Sequence, residues 1–134
     1  PKESVLFLKK ILSGTGAVFA DVDASLHDDI TAAISHVPHI VAASLVNMVR
    51  ENDTPNELMK AFAAGGFKDI TRIASSSPEM WESICLSNAE SIDHFLSLMI
   101  EELTKVQSYI SSEQGDKINH FFAASRDYRN SIQD

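Results

Sequence analysis

The sequence predicts an all-α fold, a compact bundle of about five to seven helices, from three observations. Apolar residues recur at three- and four-residue intervals through most of the 134 residues, as on one face of an α-helix. The five glycines and four prolines are few, and they fall between these periodic segments, where helices begin or end. No segment shows the alternation of a β-strand over a useful length. The length fits a single domain, which we place at residues 1–134.

The first predicted helix covers residues 4–13. It stops at Gly14 and Gly16, because glycine accepts the left-handed conformation that ends many helices. The apolar run 17–20 can be extended, but it is too short and too isolated to found a sheet. Gly14-Thr15-Gly16 is therefore interpreted as a helix stop. It does not follow a buried strand and it lacks the third glycine of a dinucleotide-binding loop.

A second, long helix runs from about Ser25 to Arg50. Asp23 or Ser25 caps its start, and Ser25 with Asp28 has the spacing of a capping box. Pro38 predicts a kink, because proline cannot donate a hydrogen bond to the carbonyl four residues earlier. One face is a stripe of leucine, isoleucine and valine, so we expect protein contacts there. The opposite face carries small and polar residues: Asp28, Ala32, Ser35, His36, His39 and Ala43.

Proline and glycine then delimit three shorter segments. Thr54-Pro55 predicts a helix start followed by a helix over 57–64, which ends at Gly65-Gly66. A short helical segment covers 67–74. Ser77-Pro78 starts another helix by the same cap-then-proline device.

Asn88 caps the longest predicted helix, which carries a heptad seam. The seam is either intramolecular core or a subunit interface, and both interpretations stay open. A final helix follows Gly115-Asp116 and continues toward Tyr128. The seam residues are spaced 4, 3, 4, 3 and 4 apart: Ile92, Leu96, Met99, Leu103, Val106 and Ile110.

Composition excludes several classes of protein. Eleven Lys and Arg against nineteen Asp and Glu give a net charge of −8, which argues against a nucleic-acid partner. The single cysteine, Cys85, excludes an intramolecular disulfide and a cysteine-cluster metal site, fits a cytoplasmic location, and is interpreted as a packing residue. No apolar run approaches the roughly 20 residues of a membrane span, so we expect no membrane partner.

His36 and His39 lie three residues apart on one helical face. They are either a half-buried, hydrogen-bonded pair or one wall of a polar pocket. Without a clear third ligand we expect no metal site. Trp81, the only tryptophan, is either a core residue or the wall of a pocket that stacks on a ring.

Gly65 and Gly66 precede two cations on one helical face, Lys68 and Arg72, with Asp69 able to orient Arg72. Glycines let a backbone approach a ligand closely, and the following helical turn presents free N–H groups. A paired lysine and arginine suit a carboxylate. The alternative is a surface helix with ordinary salt bridges.

Together these motifs resemble the C-terminal helical domain of the prephenate dehydrogenases. The resemblance covers essentially the whole chain, and its one departure, Val37 in place of the usual leucine, is conservative. Four motifs carry it in order: His27-Asp28, Ser35-His36-Val37-Pro38-His39, the segment Ala64 to Ala74, and Pro78-Glu79-Met80-Trp81.

The resemblance implies an enzyme of tyrosine biosynthesis that oxidises prephenate to 4-hydroxyphenylpyruvate with loss of carbon dioxide. An N-terminal Rossmann domain would bind NAD or NADP and carry the catalytic histidine. The present chain would form an intertwined homodimer similar to the C-terminal domain of 6-phosphogluconate dehydrogenase. By this resemblance the chain alone binds no cofactor, holds no catalytic residue and is inactive. Its start at Pro1, without Met, fits an excised domain.

The resemblance also implies roles in binding prephenate or arogenate, with tyrosine as a further ligand. Arg72 would hold the ring carboxylate and Lys68 would add positive charge. His36, His39 and Ser35 would line the pocket, and Trp81 would form an apolar wall. Gly65 and Gly66, from the same or the partner subunit, would let the backbone approach the substrate.

Two alternatives remain at this point. One is a stand-alone helical dimer that senses an aromatic acid. The other is the helical domain of another two-domain dehydrogenase, such as the 6-phosphogluconate type.

Overall fold

The computed structural model describes residues 2–132, and this range contains helices and no β-strand. Because α2 and α3 are joined by the π-helical segment Ala32–His36 into one continuous rod, the all-α prediction and its helix number are confirmed. Pro1 and the two C-terminal residues lie outside the described range. The α-helices are α1 Lys2–Leu12, α2 Ala24–Thr31, α3 Val37–Asn52, α4 Leu58–Ala61, α5 Gly65–Thr71, α6 Pro78–Ser87, α7 Ala89–Ser111 and α8 Gly115–Ser131.

Helix α1 ends where the glycines predict. It continues as a 3-10 turn over Ser13–Thr15 and stops at Gly16, whose φ of 79° is the left-handed conformation that glycine accepts without strain. Residues 17–23 that follow are neither helical nor paired in a sheet.

The predicted capping box at the start of α2 is wrong. Asp23 occupies the N-cap position but makes no side-chain cap hydrogen bond, and Ser25 already lies inside the first turn because the helix begins at Ala24. The Asp28 carboxylate instead contacts the Nδ1 of the neighbouring His27 at 3.2 Å.

At Pro38 the helix widens rather than simply bending. In the π-helical segment Ala32–His36 the Val37 N–H bonds to the carbonyl of Ala32, five residues earlier. Proline has no N–H to donate, and the wider π-helical turn before it accommodates the missing hydrogen bond. The sequence therefore locates the irregularity correctly, but not its form.

The helix predicted over 57–64 is shorter than expected, since α4 covers only Leu58–Ala61. Thr54 does not cap a helix that starts at Pro55, but its hydroxyl accepts the N–H of Leu58, the first residue of α4, at 3.0 Å. The Glu57 N–H bonds to the Thr54 carbonyl at 2.9 Å in a turn, and Glu57 takes a left-handed φ of 51° before the helix starts.

The cause of this late start is the carboxylate of Asp53. Its Oδ1 accepts the N–H groups of Thr54 at 2.7 Å and Met59 at 2.8 Å, and its Oδ2 accepts that of Lys60 at 3.1 Å. One side chain thus supplies acceptors for N–H groups that the start of α4 leaves without helical partners.

The segment around Gly65-Gly66 also differs from the prediction. The glycines are the first two residues of α5 and not the stop of the preceding helix, and α5 continues as a 3-10 turn over Arg72–Ser75. By contrast, Ser77 caps α6 as predicted, because its hydroxyl accepts the Met80 N–H.

The buried apolar residues are few, and they mark where the long helical rod meets α7. Within the described range they are Ala32, Val37, Ala42 and Ile92. The accessible surface is 10815 Å², whereas a compact monomer of 14.7 kDa exposes about 6,900 Å². The chain thus leaves about 3,900 Å² more surface in water than a self-sufficient domain of its mass.

The heptad seam of α7 accounts for part of that surface. Ile92 is 6% exposed, but Leu103 and Ile110 further along are 56% and 60% exposed. Leu103 and Ile110 are therefore not intramolecular core, whereas Leu96, Met99 and Val106 are half-buried. The exposed pair favours the alternative of a subunit interface.

By length and composition alone, one helix within the described range is apolar enough to cross a membrane. It is the rod Ala24–Asn52, whose most apolar 18-residue window has a mean hydropathy of 1.4 and is 17% buried. A single such helix is weak evidence for a membrane, because the central helix of a helical bundle meets the same criterion. Its packing against α5 and α7 favours the central-helix interpretation.

Replacing Asp53 with alanine is expected to destabilise α4 in a pH-dependent manner. Desolvation raises the pKa of Asp53, but the N–H groups of Met59, Lys60 and Thr54 together outweigh it, so the pKa lies below its ordinary value of 3.8. A lowered folded-state pKa stabilises the fold above the ordinary value, and this contribution is lost as the pH falls through the folded-state pKa. Thermal melts of D53A should therefore differ from the parent at neutral pH and converge with it in strong acid.

The matched control is Glu51→Gln, which removes a nearby carboxylate whose recorded partner is the exposed side chain of Arg50. E51Q should melt like the parent. A D53A deficit that is the same at every pH would contradict the capping role.

Candidate functional site

Two histidines and a tryptophan form an aromatic cluster between the long helical rod and α6. The His39 ring, in the first turn of α3, stacks on Trp81 with centroids 4.1 Å apart and planes at 29°. The His36 ring meets the same indole edge-on at 6.1 Å and 80°. Trp81 is positioned by the Ser77-capped first turn of α6. The structure therefore joins three of the predicted site residues.

One hydrogen bond of the His39 ring fixes its tautomer. Its Nδ1 lies 2.9 Å from the carbonyl oxygen of Ser35. A carbonyl only accepts, so Nδ1 carries the hydrogen and Nε2 is the acceptor of the neutral ring. The backbone of Ser35, rather than its hydroxyl, is thus the element that orients His39.

His36 is held in the opposite tautomer by Asn88. The amide Nδ2 of Asn88 donates to the carbonyl of Asp28 at 2.8 Å, which fixes the orientation of the amide. The same nitrogen lies 3.3 Å from Nδ1 of His36, so that ring nitrogen accepts and Nε2 carries the hydrogen. The two histidines thus offer one N–H donor and one acceptor at their Nε2 atoms.

Asn88 is a residue whose role sequence reasoning missed. Its position at the start of α7 is as predicted, but its side chain makes no cap hydrogen bond to that helix. It bridges α2 and the π-helical segment, 60 and 52 residues away in sequence. A side chain that is a good helix cap gives no sequence signal for so distant a partner.

A cleft of about 380 Å³ opens beside the cluster, between α3, the 3-10 turn after α5, and α6. Its walls are mainly apolar, with a few polar groups, so it suits a small ring that carries polar substituents. His39 and Trp81 line it, whereas Ser35 and His36 do not. Its lining is His39, Ile40, Ala43, Val46, Asn47, Ile73, Ala74, Ser76, Pro78, Trp81 and Cys85.

Two features of the cleft lining stand out. The Nε1 of Trp81 is buried and has no hydrogen-bond partner among residues 2–132. Cys85, expected to be a packing residue, is half-buried and contributes to the lining. Across residues 2–132, no three His, Cys, Asp or Glu side chains group closely enough to hold a metal ion.

The predicted cationic residues make no hydrogen bond with this cluster within residues 2–132. Lys68, Asp69 and Arg72 are exposed, and no hydrogen bond or ion pair within the described range links them to each other or to the histidines. The predicted orientation of Arg72 by Asp69 is therefore not observed. Arg72 is, however, adjacent in sequence to Ile73, which lines the cleft.

Gly65 and Gly66 have no conformational need to be glycine in this chain. Neither has a positive φ, and a Cβ at either position would meet nothing within 4 Å. The open space beside them is compatible with the approach of a group from outside the chain.

These features define a helical module of a particular class. Its cations make no hydrogen bond or ion pair with the aromatic cluster within residues 2–132, and Leu103 and Ile110 of its apolar seam are exposed. Exposed apolar surface of this kind is typical of a domain that associates with a partner.

Comparison with known proteins specifies the family. Residues 23–124 match the family model "Prephenate dehydrogenase, dimerization domain". The chain belongs to this family, which confirms the resemblance read from the sequence motifs and excludes the 6-phosphogluconate type among the alternatives.

Relatives share the sequence over nearly the whole chain. Prephenate dehydrogenase of Bacillus subtilis (strain 168) is 44% identical over 131 residues, which are 98% of this chain and 35% of that protein. Cyclohexadienyl dehydrogenase of Zymomonas mobilis is 31% identical over 131 residues, 96% of this chain and 44% of that protein. The chain thus spans less than half the length of these relatives.

Solved structures share the fold. The crystal structure of prephenate dehydrogenase from A. aeolicus in complex with hydroxyphenyl propionate and NAD+ matches with a TM-score of 0.91 at 30% identity, covering 99% of this chain and 46% of that one. Synechocystis arogenate dehydrogenase matches with a TM-score of 0.87 at 22% identity, over 97% of this chain and 48% of that chain, which shows the fold alone.

Replacing Asn88 with alanine is expected to release the tautomer of His36. In the parent, ¹⁵N spectra should show hydrogen on Nε2 of His36 and on Nδ1 of His39. In N88A the His36 ring should exchange between tautomers while His39 stays fixed, because Ser35 still accepts its hydrogen bond. The control is Asn52→Ala, which removes another amide-to-carbonyl bond, to Met48, outside the site. An unchanged His36 spectrum in N88A would refute this assignment.

Proposed function

We propose that this chain is the dimerising and substrate-binding part of an enzyme that oxidatively decarboxylates prephenate, or arogenate, with a nicotinamide cofactor. The observation that carries the proposal is the His36–His39–Trp81 cluster beside the cleft, in a chain of the prephenate dehydrogenase family. NAD or NADP and the catalytic histidine belong to the remainder of the enzyme. The chain alone turns nothing over. We place the enzyme in solution in the cytoplasm, as a biosynthetic dehydrogenase.

The cleft suits the ring of such a substrate. Its apolar walls accept a six-membered ring, and the stacked His39–Trp81 pair supplies a flat face. The polar edge offers the Nε2 acceptor of His39. A ring hydroxyl donates to such a nitrogen. A ring with polar groups thus meets complementary surfaces within one site.

The carboxylates of the substrate need cations, and we assign this role to Arg72 and Lys68. Neither has a recorded partner within residues 2–132, although the chain carries nineteen acidic residues. Lys9, Arg50, Lys60, Lys105 and Arg126, by comparison, are each paired with a carboxylate. A cation without an intramolecular partner is available to a ligand, and arginine matches a carboxylate with two parallel hydrogen bonds.

We propose further that the site is completed by a homodimer. The cations make no hydrogen bond or ion pair with the aromatic cluster within residues 2–132. Each chain exposes about 3,900 Å² more surface than a compact monomer of its mass, which is enough for one subunit's share of a large dimer interface. Gly65 and Gly66, open to their surroundings, allow close approach by the substrate or by the partner subunit. Tyrosine, which resembles the product in its ring and carboxylate, is a further ligand of the same site.

Arg72→Ala in the full-length enzyme is expected to lower kcat/KM for prephenate by about 10- to 100-fold, the value of one charge-assisted contact with a carboxylate. Steady-state formation of the reduced cofactor measures it. Arg50→Ala is the matched control, because Arg50 is exposed and, within residues 2–132, pairs with its neighbour Glu51. Equal turnover by R72A and R50A would contradict the site assignment.

Leu103→Asp should weaken the dimer, because it places a carboxylate in the exposed part of the heptad seam. Sedimentation equilibrium at micromolar concentration should give a dimer for the parent and a shift toward monomer for L103D. Gln107→Asp, on the same helix but off the seam, should remain dimeric. A monomeric parent would overturn the proposed assembly.

A further inference from the structure

Residues 2–22 are distinct from the rest of the described chain in both packing and family match. The match to the dimerisation domain begins at residue 23. Helix α1 has no buried residue and no substantial packing against α2–α8 within the described range. Its apolar side chains are nevertheless many, and they are exposed to water: Val5 47%, Leu6 66%, Phe7 66%, Leu8 56% and Ile11 58%.

The segment after α1 turns back alongside it. Gly16 reverses the chain with its left-handed φ of 79°. The ammonium group of Lys9 then donates to the carboxylate of Asp21 at 2.7 Å and lies 6.0 Å from the centre of the Phe19 ring. Residues 2–22 thus form a helix, a tight turn and a non-helical segment that runs antiparallel to the helix.

This segment has the properties of a strand without a sheet. Side chains alternate along an extended chain, so Phe19 and Asp21 face α1 while Val18 and Val22 face away. The outward pair is apolar and uncovered, with Val18 96% and Val22 45% exposed. No backbone hydrogen bond joins residues 17–22 to another part of the described chain. In a β-sheet, neighbouring strands pair such peptide groups, and packed elements cover such apolar side chains.

A helix followed by a strand whose outward face is apolar is the repeating unit of a parallel α/β sheet, in which helices cover the strands. We propose that residues 2–22 add a strand and its covering helix to the sheet of the cofactor-binding α/β domain of the full-length protein. The proposal rests on the proposed function, which supplies that domain. It places the domain boundary at Asp23, the N-cap of α2, instead of treating residues 1–134 as one domain.

Two observations indicate that residues 2–22 pack against that α/β domain and not against a second copy of the chain. The family's dimerisation model excludes residues 2–22, although it includes the exposed α7 seam. The Bacillus subtilis relative extends well beyond this chain, which spans 35% of it, and the A. aeolicus relative, of which the chain matches 46%, was solved with NAD+. The strand would thus belong to the domain that holds the cofactor, and α2 would begin the domain that dimerises.

Hydrogen–deuterium exchange of the full-length protein tests this. Amides of residues 17–22 should exchange about 100-fold or more slowly than unpaired peptides, as the paired interior of a sheet does. Amides of α7 in the same sample serve as the folded standard. Exchange of residues 17–22 at the unpaired rate, with α7 protected, would overturn the proposal.

Two variants separate the possible occupants. Val18→Asp should remove the protection of residues 17–22 and leave the dimer intact, whereas Ser13→Asp, with the same charge in the exposed turn, should change neither. If Leu103→Asp removes the protection of residues 17–22 as it dissociates the dimer, a second copy covers the segment and the proposal is wrong. Prephenate turnover tests the proposed function separately, because the exchange measurement requires no substrate.

Discussion

The rest of the structure depends on one constraint: the chain carries more apolar surface than its own helices bury. Of the residues described, the buried apolar ones are Ala32, Val37, Ala42 and Ile92, and two of these are alanines. Alanine contributes little hydrophobic free energy on burial, so close contact between the helical rod and α7 does not by itself stabilise a domain of this size. Two groups of the exposed apolar side chains are the C-terminal part of the α7 seam, with Leu103 and Ile110, and the unit of residues 2–22. The first suits a second subunit and the second suits a sheet. The fold is therefore best understood as a connecting module whose stability is completed by its neighbours.

The π-helical segment links this architecture to the candidate site. It inserts an irregular turn between α2 and α3 at the position where Ser35 orients His39 and Asn88 reaches His36. π-Turns are uncommon, and they often occur at functional sites because the added residue changes which side chains face a pocket. Here the two imidazoles, three residues apart, are held by one carbonyl and one amide in opposite tautomers. In a regular helix, two histidines without hydrogen-bond partners would each exchange between their two neutral tautomers. The cluster is therefore organised before any ligand arrives, which lowers the entropy that binding has to overcome.

The sequence predicted the features that depend on local chemistry and not those that depend on distant contacts. Helix ends marked by Gly16, Ser77 and Gly115 are where they were expected, because their causes lie within a few residues. The predicted start of α4 was wrong, because the carboxylate of Asp53 accepts hydrogen bonds from N–H groups up to seven residues ahead. The role of Asn88 could not be predicted, since its partners are more than fifty residues away. For the site, the residues alone left core and pocket roles open for His36, His39 and Trp81, and only the resemblance implied one pocket for all three. The lack of a hydrogen bond between Arg72 and that group depends on tertiary structure.

The separation of cations from the aromatic cluster also bears on how the net charge of −8 is compatible with an acidic substrate. Long-range repulsion would slow the approach of a dianion, but charges farther apart than about 8 Å are largely screened at physiological salt. What matters is the local field, and Arg72, next in sequence to the cleft residue Ile73, and Lys68, one helical turn earlier, have no hydrogen-bond or ion-pair partner within residues 2–132. If each were already paired with a carboxylate, substrate binding would have to break that pair first. Leaving Lys68 and Arg72 free keeps the cost of binding low, and a subunit interface that excludes water would strengthen their attraction for a carboxylate. Under the proposed function, assembly and substrate affinity would therefore be coupled through the same pair of residues.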